Sequence, residues 1–270
     1  MSNRKYIRSV QVKRKAFEKR YNILIRRALN RQVKEIISQI RPDNVFGINP
    51  EPSKNEIEKV FTDLYQKVGV AFAKDIYANV KDNTKAVEPT LPGFESETEK
   101  IVNRWKLYLR NFAMTEAGSR IVSITGETKK QALRIIRATI DKGIEEGIGA
   151  LGIAENIEKA LNSVMIDINY WRALRIARTE VIGASNLGSI VGARDTGEQM
   201  DKIWISKIDN KTRPDHVEMN NKKVKLEEKF DVAGVMMDRP GDLSAPAEQV
   251  INCRCTIAFK VRKIDYSIVS

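Results

Sequence analysis

Histidine and cysteine are almost missing from this chain: 270 residues contain one histidine, His216, and two cysteines, Cys253 and Cys255. So few thiols exclude the disulfide framework that staples small secreted domains. Residues two apart on an extended strand have Cα atoms about 6.6 Å apart, near the limit for a bridge, so reduced or metal-bound thiols are expected. No run of about 18 apolar residues is present to span a bilayer. The basic N-terminus is not followed by the apolar stretch of a secretion signal. An intracellular protein, or one assembled inside a cell, with no membrane contact, is the expectation. Proline is absent between Gly93 and Arg213, which removes the strongest helix breaker from the middle of the chain. There is no internal repeat, low-complexity tract or glycine-rich phosphate loop. Helix-turn-helix, zinc-finger and aromatic RNA-binding signatures are also lacking, so sequence-specific nucleic-acid readout is not expected.

What is present is positive charge, concentrated at one end. The formal net charge is +12, and the first 41 residues hold thirteen basic and two acidic side chains. The basic ones are Arg4, Lys5, Arg8, Lys13, Arg14, Lys15, Lys19, Arg20, Arg26, Arg27, Arg31, Lys34 and Arg41. Like charges at this density repel along a helix unless an anionic partner screens them. Nucleic acid fits best, ahead of an acidic protein surface and an anionic membrane. The DNA-contacting residues expected are Arg4, Lys5, Arg8, Lys13, Arg14, Lys15, Lys19, Arg20, Arg26, Arg27 and Arg31, binding phosphates without sequence preference.

With 42% hydrophobic and 30% charged residues, the chain can form one or two packed domains. Apolar positions at Phe17, Tyr21, Leu24, Ala28, Val33, Ile36, Ile37 and Ile40 predict an amphipathic helical arm over residues 1–41, ended by Arg41-Pro42. Residues 42–92 read as a helix with proline-containing linkers. Its capping box is Ser53 with Glu56, and Ile57 to Phe72 supply the apolar face. The segment Asp82 to Glu97 is the candidate boundary. Residues 93–197 read as a helical domain, with a second capping box at Ser96 and Glu99, a glycine-punctuated turn at Gly143 to Gly152, and a further helix from about Asn169. Small residues Ala173, Ala177, Ala184 and Gly188 on that helix invite close approach of a neighbour. Residues 198–262 read as a small module with strands near 202–208, 222–226 and 250–259. The fold class expected is α+β: a mainly helical N-terminal two-thirds followed by a small α+β module with a short sheet.

Period two places Ile251, Cys253, Cys255, Ile257 and Phe259 on one strand face. The two thiols are then either core residues or, with His216 and one of Asp209 or Asp215, a tetrahedral zinc site. A third reading makes His216 a base oriented by Asp209 or Asp215, with Cys253 or Cys255 as nucleophile. Arg175, Arg178 and Glu180 are expected to pair within the domain.

Taken in order, Ala177-Arg178-Thr179-Glu180, then Trp204, then Asp209 with Thr212-Arg213 and His216, then Phe230, then Pro240-Gly241-Asp242 with Ala245-Pro246, then Asn252-Cys253-Arg254-Cys255-Thr256, the C-terminal third resembles the phage Mu F-like head morphogenesis family over about residues 165–260. The resemblance implies a minor head protein of a tailed phage, associated with the portal and involved in assembly, DNA packaging or delivery. Arg178, Glu180, Asp209, Arg213, His216, Cys253 and Cys255 are its signature positions. It implies no enzymatic activity and no cofactor, with zinc the one left open. Implied partners are the portal protein, phage DNA, and the inner surface of the major capsid protein or scaffold. The implied location is the capsid interior near the portal, with the host cytoplasm during assembly. Many members carry His-Pro before Asn-Cys-Arg-Cys where this chain has Gln249-Val250-Ile251, removing one candidate ligand. Two other readings stay open: an enzyme or toxin-like module using His216 with Cys253 or Cys255, and a standalone nonspecific nucleic-acid binding protein.

Overall fold

Without proline to interrupt it, the middle of the chain runs as three helices: α3 (Glu97–Thr115), α4 (Gly118–Glu145) and α5 (Ala150–Arg194). They follow α1 (Asn3–Ser38) and α2 (Asn55–Lys81). The computed structural model describes residues 3–81 and 96–262, with side chains from Tyr6 onward in α1. The side chains of Arg4 and Lys5, and most of the expected boundary from Asp82, therefore lie outside what is described. After α5 come β1 (Met200–Ile205), α6 (Pro214–Glu218), β2 (Lys223–Lys225), β3 (Phe230–Val232), β4 (Val235–Met237), α7 (Ala247–Val250) and β5 (Thr256–Val261). The class is α+β, helical first with a small C-terminal sheet region.

Packing groups the chain into two units, each drawn from separated stretches. The first takes Met1–Glu18, Asp63–Phe112 and Arg178–Ser270; the second takes Lys19–Thr62 and Ala113–Ala177. The consecutive segments read from the sequence are thus not how the residues pack. Residues 1–41 are not an arm apart from a body. Val10, Arg14, Tyr21, Ile25, Leu29, Val33 and Ile36 are all buried along α1.

In the first unit, α5 is buried on every side from Thr179 to Ala193. Its glycines make this possible. A Cβ at Gly188 would lie 2.1 Å from the Gly69 carbonyl oxygen, and one at Gly192 would lie 2.3 Å from that of Ala73, so α2 meets α5 backbone to backbone. The sheet order is β2-β1-β5, all antiparallel, with Trp204 opposite Ile257. Trp204, Phe230, Met237, Val250, Cys253, Cys255 and Ile257 share one core cluster with Ile190.

In the second unit, Val33 and Ile36 of α1, with Ile40 just beyond it, pack with Ala132 and Ile136 of α4 and with Ile153, Ile157, Leu161 and Met165 of α5. Arg172 is buried there and donates to Thr128 Oγ1 (3.1 Å) and the Ile124 carbonyl (3.0 Å).

Several local expectations meet the structure directly. The Ser96–Glu99 capping box forms, with Glu99 N–H donating to Ser96 Oγ at 3.2 Å and Ser96 N–H to Glu99 Oε2 at 3.0 Å. The Ser53–Glu56 box does not. Ser53 N–H donates instead to Glu35 Oε2 (2.8 Å), and Glu56 is drawn to Lys59 and Arg31. The helix expected from about Asn169 begins earlier, at Ala150, as part of α5. Cys253 and Cys255 precede the third strand, which begins at Thr256. The β3–β4 hairpin escaped the sequence reading. Its two-residue turn, Ala233 (φ 51°) and Gly234 (φ 84°), takes the left-handed backbone that matches strand twist.

Candidate functional site

The C-terminal module is organised around His216. β1 leads into Ser206, whose hydroxyl donates to the His216 carbonyl and so holds the short helix α6 against the strand end. The imidazole is 1% exposed and sits edge-on to Trp204 at 5.3 Å between ring centroids. Opposite it, Asn252 takes a positive φ of 57° and turns the chain so that Cys253 and Cys255 both face the ring. His216 Nδ1 lies 3.6 Å from Cys253 Sγ and 3.5 Å from Cys255 Sγ.

On the far side of the ring, His216 Nε2 is 2.9 Å from Gln249 Oε1, and Gln249 Nε2 donates to Asp215 Oδ2 at 3.0 Å. Asp215 thus reaches the histidine through Gln249, not directly. The Cys253 thiol is pushed well above its ordinary value by its contact with Cys255 and by burial. His216, Cys253 and Cys255 offer three ligand atoms all within 4.8 Å of one another, and these three could hold a metal.

Asp209 does not orient the histidine. Its carboxylate receives a bidentate pair from Arg254, accepts Lys211 N–H at 2.9 Å, and is held far below the usual carboxylate range, first by the Arg254 hydrogen bonds. Arg213 donates to the Ile251 carbonyl at 2.6 Å, pinning the turn before the cysteines. Arg178 and Glu180 are not paired with each other. Glu180 accepts from Tyr65 Oη at 2.8 Å, while Arg178 lies 3.4 Å from Asn252 Oδ1 and 3.9 Å from Glu18. Arg175 is exposed.

The expected DNA-contacting residues divide by environment. Arg8, Lys15, Lys19, Arg20, Arg27 and Arg31 are exposed, and Lys13 and Arg26 are half-buried. Lys13 pairs with Asp75 (2.6 Å) and Arg31 with Glu56 (3.2 Å). Arg14 is 3% exposed and faces inward, so it is a structural cation. Its guanidinium donates to Ser185 Oγ (2.7 Å), Asn186 Oδ1 (2.7 Å), the Cys255 carbonyl (3.0 Å) and Thr256 Oγ1 (3.3 Å). Burial pulls it down to about 10, with Tyr6 opposing, and it remains charged at neutral pH. Beside it in the first unit opens a cleft of about 480 Å³ whose walls include Lys15, Arg178, Lys207, Lys211 and Arg254 with Glu18. In the second unit, Arg27, Arg31 and Lys34 line one groove with Glu56, and Lys129, Lys130, Arg134 and Arg137 line another with Asp141.

Sequence reasoning missed Gln249 and Ser206 as neighbours of His216, and it missed Lys202. That lysine is fully buried, bonded to the Asp238 carbonyl (2.8 Å) and carboxylate, and sits over the Phe230 ring. Alternation along β1 marks position 202 as facing the same side as Trp204, which was the one available signal.

Residues 134–258 match the family model described as Phage Mu protein F like protein. This stretch, a little under half of the chain, is similar to the phage Mu F-like family. The Mu F-like region begins earlier than the resemblance suggested, taking in the second half of α4, and contains every signature position named above. Among curated proteins, "Minor head protein GP7" of Bacillus phage SPP1 is 25% identical over 129 residues, 47% of this chain and 40% of that protein. "NAD(+)--arginine ADP-ribosyltransferase EFV" of Enterococcus faecalis is 25% identical over 224 residues, 74% of this chain and 43% of that protein. The chain thus spans about two fifths of the length of these relatives. No solved structure matches it significantly.

Proposed function

We propose that the chain is a minor head protein of a tailed phage, a structural component of the virion that docks at the portal inside the capsid and touches packaged DNA. The observation carrying this reading is the Mu F-like region together with its likeness to the minor head protein of Bacillus phage SPP1. Burial of both cysteines and His216 supports a structural role, because a thiol nucleophile must meet its substrate and these cysteines are each 2% exposed. The likeness to an ADP-ribosyltransferase does not weigh against this, since more than half of that protein lies outside the match. No helix among the described residues is long and apolar enough to cross a membrane.

The exposed cations of α1 and the basic cleft and grooves support a phosphate-seeking surface, and the inner capsid wall or scaffold is the further partner. The head-protein reading is tested by purifying procapsids through the portal protein. The full chain should be retained at far fewer copies than the major capsid protein; a chain that stays soluble and absent from particles overturns the reading. The DNA interaction is tested separately in the full chain by replacing Arg8, Lys15, Lys19, Arg20, Arg27 and Arg31 with Gln. DNA affinity should fall, and the log–log salt slope should shrink by about 0.9 for each phosphate that is no longer neutralised. An unchanged slope in a folded variant removes DNA from the partners.

A further inference from the structure

We propose that His216, Cys253 and Cys255 form a structural zinc site, a conclusion that does not depend on the head-protein reading. Gln249 donates its amide N–H to Asp215, so the oxygen it turns toward His216 can only accept. The reversed amide would set two acceptors against each other at Asp215. His216 therefore carries its proton on Nε2, and Nδ1 presents a lone pair toward the sulfurs. One lone pair serves one S–H donor well, yet two sulfurs stand at nearly equal distance from it, 3.5 and 3.6 Å.

A metal ion accounts for that arrangement. In tetrahedral coordination with Zn–N about 2.0–2.1 Å and Zn–S about 2.3 Å, the N···S edge is about 3.5 Å. Both observed separations fall on that value, and the two sulfurs also lie within 4.8 Å of each other. Two thiolates and a neutral imidazole around a divalent ion make an assembly with no net charge, which a site this deeply buried requires. Thiolate and imidazole donors select zinc over magnesium or calcium. The Gln249–Asp215 relay is the outer support that ligating histidines ordinarily have.

The test uses the full chain, purified reduced and without added metal, with zinc measured by mass spectrometry of the metal. One zinc per chain is expected. Replacing it with cobalt(II) should give the sulfur-to-cobalt charge-transfer band in the near ultraviolet and the strong visible bands of a tetrahedral centre. Cys253→Ser, Cys255→Ser and His216→Asn should each lose both signals. Gln249→Leu keeps all three ligands and should weaken zinc binding by about 10–100-fold in competition with a chelator, so the proposal does not rest on variants that fail to fold. A folded wild-type chain that carries no zinc, takes up none from added Zn²⁺ and gives no cobalt bands overturns it, leaving a hydrogen-bonded thiol pair.

Discussion

Arg14 Nη2 on α1 and Asn186 Oδ1 on α5 are joined by a 2.7 Å hydrogen bond in a core where neither residue is more than 3% exposed. Asn186 in turn donates to the Pro240 carbonyl at 2.8 Å and faces the Cys255 carbonyl. Replacing Arg14 with Met removes every donor of the fork at once, leaving Asn186 Oδ1 with Thr256 Oγ1 (3.2 Å) and the Cys255 carbonyl with Asn186 Nδ2 (3.3 Å). A loss of about 3 kcal/mol or more is expected in urea denaturation. Arg14→Lys should recover little of it, since one ammonium cannot reach partners on both sides. Lys15→Ala, one position along and exposed, should stay within about 0.5 kcal/mol of wild type.

Acid should loosen the loop that holds the cysteine turn. The Asp209 carboxyl is depressed in the folded chain, first by Arg254. Its stabilising effect is therefore fully present above the unfolded value of about 3.9 and is lost as pH falls below it toward the folded value. Thermal melts of wild type and Asp209→Asn should be well separated at pH 7 and converge between about pH 4 and pH 2. A constant separation across that range would mean that the Arg254 pairing does not set the shift.

Lys202 and Asp238 should prove strongly coupled. Asp238→Ala leaves a fully buried ammonium with a single carbonyl partner, at a cost of about 3 kcal/mol. Lys202→Met combined with Asp238→Ala should regain most of that loss, because burying the uncompensated charge is what destabilises the single variant. Additive effects in the double-mutant cycle would contradict this.

Two glycine-to-alanine changes should have opposite signs. At Gly188 the new methyl would meet the Gly69 backbone and force α2 and α5 apart, destabilising by about 2–3 kcal/mol. At Gly126, within α4, nothing lies within 4 Å of the added atom. Alanine there should stabilise by about 0.5–1 kcal/mol through helix propensity alone. Denaturant midpoints of the two variants read this directly.

Helices with one apolar face were legible in the sequence because the 3.6-residue stripe survives when the other face meets water; α2 and the inner face of α1 are examples. The C-terminal half of α5, buried all round, has no stripe, and its helix is read from about Asn169 through its small residues; what stayed hidden is that it runs unbroken from Ala150. The hairpin Phe230–Met237 was hidden by its length, three residues a strand. At the site, scarcity alone drew attention to His216, Cys253 and Cys255. Gln249 could not be found that way, because its meeting with His216 depends on a fold spanning 33 positions. Arg14 was misjudged for a related reason: charge counting cannot see that the acceptors of its guanidinium lie 171 and 241 positions away.

Those separations also bear on the order of events during synthesis. Tyr6 Oη donates to the Ile257 carbonyl at 2.7 Å, across 251 positions. The start of α1 therefore emerges from the ribosome long before its acceptors exist, with an inward-facing arginine and tyrosine waiting for the segment that carries both cysteines. Closing so long a loop is slow, and the first unit can complete its interior only after translation has passed residue 257.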